Sequence, residues 1–323
     1  MSNNQPRLSI GLPVYNGEKF LKETIDSLLS QTFEDFELII SDNASTDKTE
    51  EICRAYIGQD KRIYYYRNEE NKGSAPNFNR VFELSSGEYF KWAAYDDLYA
   101  PDFLMKCVEV LDQDPNVILC QSQVSIIDEH GEFIQNYDIQ LKTDSPKRHE
   151  RFHELLSKHL CYQIFGVIRA SALKKIPSLG SYGHADGILL LRLGLLGQFY
   201  EIPEYLFFSR KHPQQSMSMF VPNYLLFANK NQNHSLSMIP DYHAYSIWFY
   251  SANEGKIILP HWRILWECLL SMWRGSLSLY EHICCSISMY NQLKGTEYLL
   301  LKDLLIALQM LWVSWRKALI KNW

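Results

Sequence analysis

Tyr89-Phe90-Lys91-Trp92-Ala93-Ala94-Tyr95-Asp96-Asp97-Leu98 is the stretch whose reading decides the fold. Its first six residues make an apolar run of strand length, and Pro101-Asp102-Phe103-Leu104 then opens a helix. Two adjacent carboxylates leaving a buried strand just before a helix stand where an open α/β sheet holds its ligand. Working outward, Leu8 to Val14 reads as a strand, and Phe20, Leu21, Ile25, Leu28 and Leu29 recur at helical spacing. Phe36 to Ser41 is a second strand, and Ser45-Thr46-Asp47 offers a cap for a helix from Lys48 to Tyr56. Arg62 to Tyr66 makes a third strand, Pro76 to Leu84 a helix, and Ser85-Ser86-Gly87 the turn into the opening stretch. Strands and helices in this alternation predict an α/β fold with a mostly parallel sheet flanked by helices.

Composition limits what such a fold can be doing. The chain has 323 residues, 46% hydrophobic and 21% charged, an ordinary globular balance. A net charge of −5 supplies no basic field, so no nucleic-acid partner is expected. Seven cysteines include no C-x-x-C pair and read as reduced, mostly buried thiols, which points to a cytoplasmic protein. The polar N-terminus runs straight into a strand, and no signal peptide is expected there.

Polar clusters fall at the carboxyl ends of all four strands: Pro13-Val14-Tyr15-Asn16, Asp42-Asn43-Ala44-Ser45, Arg67-Asn68 through Gly73, and Asp96-Asp97. Neither G-x-G-x-x-G nor a G-x-x-x-x-G-K-[ST] loop occurs, so a diphosphate would have to be met without a phosphate-cradling loop. Carboxylates repel phosphate, but Mg²⁺ or Mn²⁺ held by them can bridge to it. Asp97 is the favoured metal ligand, and Asp42 is placed to accept from a base N–H or a ribose hydroxyl.

Pro13-Val14-Tyr15-Asn16-Gly17, Ser41-Asp42-Asn43-Ala44-Ser45-Thr46-Asp47, Asn71-Lys72-Gly73 with Asn79, Gly87-Glu88-Tyr89 and Asp96-Asp97 together resemble the N-terminal half of family 2 glycosyltransferases of the GT-A fold. The resemblance covers roughly residues 7 to 215. It implies that Pro13, Tyr15 and Glu18 line the base and ribose side, that Asp42 meets the base, and that Asp96 approaches the ribose. It further implies that Asn71 and Asn79 belong to the nucleotide-binding set and that Asp97 coordinates the metal. The acidic pair often has a D-x-D form in the family, whereas this chain has Tyr95-Asp96-Asp97-Leu98. Gly183-His184-Ala185-Asp186-Gly187 resembles the family's acidic motif before a Leu- and Arg-containing helix, with Ala185-Asp186 where Glu-Asp is common. Asp186 is therefore the candidate general base, with capping of the following helix as its alternative role. Lone His184 beside a glycine turn reads as structural. By the same likeness His212 is a further metal or phosphate ligand, and Arg210 and Lys211 neutralise leaving-group charge, unless the segment is only a solvated turn closing an edge strand.

Beyond about residue 220 the alternation stops, and seven of the eight tryptophans lie after residue 247. Tyr242 to Ser251, Trp262 to Trp273, Leu277 to Gln292 and Thr296 to Ile320 read as helices, the last too short in its apolar stretch to span a bilayer. The expected organisation is a GT-A domain over 1–220 and a helical, aromatic-rich region over 221–323. These helices, with a basic tail of Arg316, Lys317 and Lys321, either pack on the catalytic domain or a second copy, or lie in a membrane interface on the inner face of the plasma membrane. The resemblance implies an inverting, metal-dependent transfer of a sugar from a nucleotide-diphosphate donor, a UDP-sugar first, to a saccharide or lipid-linked saccharide in polysaccharide or glycoconjugate synthesis. The alternatives are a non-catalytic scaffold subunit of the family and a sugar nucleotidyltransferase.

Overall fold

A computed structural model describes residues 5–157, 159–215, 242–254, 256, 258–295 and 297–321, with side chains described except at 242–245, 313, 314 and 316–321. The first half follows the expected alternation: β1 (Leu8–Val14), α1 (Leu21–Leu29), β2 (Phe36–Asp42), α2 (Thr49–Ile57), β3 (Ile63–Arg67), α3 (Ser74–Glu83) and β4 (Tyr89–Trp92). β1 pairs in parallel with β2 and with β4, and β2 in parallel with β3. Every residue of β1 is buried, which is why it reads as an unbroken apolar run rather than an alternating one. A Cβ on Gly11 would fall 2.6 Å from Val81 Cγ2 and 2.8 Å from Phe90 Cζ, so α3 lies close on the sheet only because this residue has none. Pro13 faces the side on which β4 has already ended at Trp92, so its missing N–H breaks no ladder bond.

The second half continues as β5 (Leu98–Tyr99), α4 (Phe103–Gln113), β6 (Val117–Ile127), β7 (Phe133–Tyr137), α5 (Arg148–Leu156), β8 (Val167–Arg169), the short α6 (Ala170–Leu173), α7 (Ala185–Leu196) and β9 (Gln198–Arg210). The sheet runs β3-β2-β1-β4-β8-β6-β9-β5, with β7 on β6. Its parallel half ends at β4. β8 is antiparallel to β4 and β6, β9 is parallel to β6, and β5 is antiparallel to β9. The segment ending at His212 is therefore not an edge: β9 lies between β6 and two-residue β5, and this places the end of β9 beside the turn that carries Asp96-Asp97.

Two apolar cores cover the two faces. One joins Leu8, Ile10 and Leu12 to α1, α2 and α4. The other joins Phe90 and Trp92 to α3, α5 and α7 and continues into the C-terminal helices. Those helices are α8 (Tyr242–Phe249), α9 (Pro260–Arg274), α10 (Leu279–Leu293) and α11 (Glu297–Lys321). The expected boundary near residue 220 lies outside the described residues, as do the side chains of Arg316, Lys317 and Lys321. α9 presents Glu267, Cys268, Ser271 and Met272 inward, and Arg192 of α7 is ion-paired with Glu267 in the interior. α10 meets α5, with Ser288 Oγ 3.1 Å from His153 Nδ1. The outer faces stay apolar and exposed, Trp273 by 83% and Leu279 by 79%. No helix among the described residues is long and apolar enough to cross a membrane.

Candidate active site

The parallel strands all deliver their carboxyl ends to one edge, and the loops there are tied to each other. Asn16 N donates to Ser45 Oγ (2.9 Å) and Asn16 Oδ1 accepts from Thr46 N (2.9 Å). Gly17 N donates to Thr49 Oγ1, Glu18 N to Asp47 Oδ2, and Lys48 N to Glu18 Oε2. Beside these loops a pocket of about 590 Å³ is lined by Asn16, Glu18, Lys19, Asp47, Lys48, Ile52 and Gln214. Pro13 is buried in β1, whereas Tyr15 is exposed at the strand end.

Asp42 is fully buried, and both of its oxygens have protein partners. Oδ1 accepts from Ser45 N (2.8 Å), and Oδ2 accepts from the Tyr65 hydroxyl (2.7 Å) with Arg67 Nε 3.3 Å away. Burial and this carboxylate raise the Tyr65 pKa, which keeps the phenol a donor. Asn71 and Asn79, expected in the nucleotide-binding set, both bond protein groups. Asn71 Oδ1 accepts from Asn43 Nδ2 (2.8 Å) and from Gly73 N (2.9 Å), forming the turn before α3. Asn79 exchanges two 2.9 Å bonds with the Leu179 backbone, anchoring the segment before α7. Both amides position loops.

Asp96 and Asp97 sit in the turn between β4 and β5, and the two carboxylates have different surroundings. Asp96 Oδ2 is 2.8 Å from His212 Nε2, and that imidazole packs on Phe20. Asp97 is 2% exposed, and its Oδ1 accepts from Arg210 N at 2.9 Å. Burial and then the neighbouring Asp96 push the Asp97 pKa well above the usual carboxylate range. Asp97, expected to be the metal ligand, thus has one oxygen bonded to the Arg210 N–H, while Asp96, expected at the ribose, shares Oδ2 with His212. Arg210, expected to meet the leaving group, is buried instead: Nε donates to Asp96 O (2.8 Å), Nη2 to Glu23 Oε2 (2.6 Å) and Nη1 to Glu129 O (3.2 Å). It fastens the acidic turn to α1 and β9. For Lys211, the backbone N–H bonds Ile127 O at 2.8 Å.

Beneath the turn lies a lysine that sequence reasoning passed over. Lys91 is fully buried, with Nζ 3.8 Å from the Tyr99 ring centroid and donating to the carbonyls of Trp92 and Phe165. Burial lowers its pKa to about 7 from 10.5. Between those two values the unfolded chain holds a proton that the folded chain has released, so stability rises with pH by up to ~1.4 kcal/mol per unit. Below about 7 both states are protonated and the slope vanishes. Urea denaturation across this window is expected to show that slope in the wild type and its loss in Lys91→Met; parallel profiles would refute it.

Asp186 stands in the first turn of α7, half-buried, with Oδ1 accepting from Gly187 N at 2.9 Å. The N-cap itself is His184, in the left-handed region at φ 65°. Asp186 therefore does satisfy one first-turn N–H, and its other oxygen makes no protein hydrogen bond among the described residues. The Cys161 Sγ, a ring nitrogen of His184 and a carboxylate oxygen of Asp186 lie within 4.8 Å of one another. No pattern in the sequence flags Cys161 or Lys91; their roles come from contacts between residues far apart in the chain.

Comparison with known proteins supplies the family. The chain is 31% identical over 175 residues to an uncharacterized glycosyltransferase of Methanocaldococcus jannaschii, covering 54% of this chain and 59% of that protein. It is 40% identical over 111 residues to one of Rickettsia typhi, 34% of each chain. It thus spans less than two thirds of the length of these curated relatives. Its fold matches the crystal structure of S. aureus TarS 1–349 in complex with UDP-GlcNAc, with a TM-score of 0.52 at 19% identity over 66% of this chain and 60% of that one. The family model for glycosyl transferase family 2 matches residues 9–177, just over half of the chain, and takes in β1 to β8 with the acidic turn; the chain belongs to that family.

Proposed function

We propose that the chain transfers a sugar from a nucleoside-diphosphate sugar, with a UDP-sugar as the first donor to test, to a hydroxyl of a saccharide or lipid-linked saccharide, inverting the anomeric centre in a single displacement. The observation that carries this reading is the convergence of Asp96 and His212 on one point at the carboxyl edge of the sheet. A carboxylate and an imidazole 2.8 Å apart fit a divalent cation, and an imidazole ligand favours a first-row transition ion such as Mn²⁺ over Mg²⁺. Asp96 and His212 would hold it, with Asp97 fixing the turn from inside. When bound, the cation offsets charge on the diphosphate leaving group.

The residues of the chain supply the rest. The interlocked loops at Asn16–Glu18 and Ser45–Thr49, with Pro13 and Tyr15, line the base and ribose side, and Asp42 Oδ1, which accepts only from Ser45 N among the described residues, keeps a lone pair for a base N–H. The free oxygen of Asp186 accepts the acceptor's hydroxyl proton as that oxygen attacks the anomeric carbon. Release of nucleoside diphosphate from a panel of nucleotide sugars, with Mn²⁺, with Mg²⁺ and with a chelator, tests the reading. Metal-dependent release is expected; pyrophosphate formation from a triphosphate would favour a nucleotidyltransferase, and donor binding without turnover a scaffold subunit. Asp186→Asn is expected to keep donor binding while turnover falls by on the order of 10² or more, and unchanged turnover would remove Asp186 from the role.

For the C-terminal region, offered as a helical unit over 221–323, the exposed faces of α9 to α11 carry Trp262, Trp266, Trp273, Tyr280, Tyr290 and Trp312. Aromatic side chains of this kind favour the lipid–water boundary, which suits a lipid-linked acceptor at the inner face of the membrane. Flotation with anionic liposomes is expected to recover the wild type with lipid and Trp266→Ser/Trp273→Ser in the aqueous fraction. Recovery of both in the aqueous fraction as dimers would assign the face to a second copy.

A further inference from the structure

The segment between α5 and the turn before β8 brings soft metal ligands to the first turn of α7. Cys161, His184 and Asp186 offer Sγ, a ring nitrogen and a carboxylate oxygen within 4.8 Å of one another. A fourth donor is close by, because His159 Nε2 lies 3.7 Å from Cys161 Sγ. Bond lengths at zinc put neighbouring donors of a tetrahedral site about 3.3–3.6 Å apart, so Cys161, His184 and Asp186 close on one ion by a contraction of up to about 1.5 Å, and His159 joins from the Cys161 side.

Three further features show that the cluster is arranged. His159 Nδ1 bonds Ser157 O at 2.8 Å, which fixes the tautomer and turns the Nε2 lone pair toward the thiol, the usual outer-shell arrangement of a metal-bound histidine. The His184 ring lies over Gly187, where a Cβ would come within 2.3 Å of its Cε1 and Nε2, so only glycine leaves the ring this position. Cys161 and His184 both have positive φ, 56° and 65°, conformations unfavourable for residues with side chains. Two strained residues direct their donor atoms to one point, and among the described residues His184 makes no protein hydrogen bond through its ring.

We infer that His159, Cys161, His184 and Asp186 form a site for a thiophilic divalent cation of the zinc class, separate from the carboxylate–imidazole pair Asp96–His212. Thiolate, imidazole and carboxylate together suit Zn²⁺ or Co²⁺ and discriminate against Mg²⁺. Binding releases the thiol proton to solvent and forms the metal–sulfur bond without any redox change. If Asp186 is the general base, as proposed above, occupancy takes its free oxygen from the acceptor, and the site is inhibitory.

Cobalt titration of the full chain tests the site without relying on activity. The wild type is expected to develop a thiolate-to-cobalt charge-transfer band and the intense visible bands of a tetrahedral ion, to lose both when zinc is added, and to gain thermal stability from zinc alone. Asp96→Ala should keep these bands, and Cys161→Ser should lose the charge-transfer band. His184→Ala, with folding checked by circular dichroism, supplies an independent loss of the tetrahedral bands. Absence of any Cys161-dependent band in the wild type overturns the inference. Turnover in Mn²⁺ separates the two readings: zinc inhibition present in the wild type and absent in Cys161→Ser supports both, whereas a cobalt band without inhibition upholds the site and counts against Asp186 as base.

Discussion

Asp96→Ala is expected to lower metal-dependent donor turnover by on the order of 10³, while Asp97→Asn lowers it by less than about tenfold. The ranking follows from what each carboxylate faces. Asp96 directs Oδ2 to His212, and its removal leaves the imidazole as the sole ligand of the pair. Asp97 is buried, and its function visible in the structure is to accept from Arg210 N. An asparagine oxygen can accept the same bond, and neutral Asn costs little where burial already disfavours the charged form. Nucleoside-diphosphate release at saturating Mn²⁺, with donor binding measured separately, checks the pair. A reversed ranking, with Asp97→Asn the more damaging, would return the metal to Asp97.

Glu267→Ala is expected to destabilise the fold by about 3–5 kcal/mol. Arg192 of α7 and Glu267 of α9 are both under a tenth exposed, and Arg192 Nε also donates to Ser271 Oγ at 3.2 Å. Removing the carboxylate leaves a guanidinium in the interior without its counter-charge, whereas Arg263, which pairs with the other oxygen from an exposed position, can turn to water. Arg192→Met/Glu267→Met should recover most of the loss, because two apolar chains leave no stranded charge. Urea denaturation of the three proteins measures this. A single variant no less stable than the double would show that the pair does not fasten α9 to α7.

The parallel half of the sheet was legible because β1 to β4 are fixed by local signals: apolar runs, turn residues and helical spacing within about thirty residues of one another. The antiparallel half was not. β6 takes its central place by pairing with β8 and with β9, whose residues lie some tens of positions further along, and no window of sequence contains both partners. The same limit applies to the site. Asp96-Asp97 could be identified as a pair, but what each carboxylate meets depends on Arg210 and His212, brought there by the β5–β9 ladder. Asn71 and Asn79 show a second use that the sequence did not reveal, since short polar motifs at strand ends serve loop closure as readily as ligand binding.

The hydrogen bonds that interlock residues 16–18 with 45–49 have a consequence for redesign of donor choice. Each loop satisfies backbone groups of the other, so neither is a transplantable module. Grafting one of them from a relative would strand N–H donors in the host. Exchange of base preference between members should succeed only when the two segments travel together, and a chimera library built on paired crossovers would outperform one built on single crossovers.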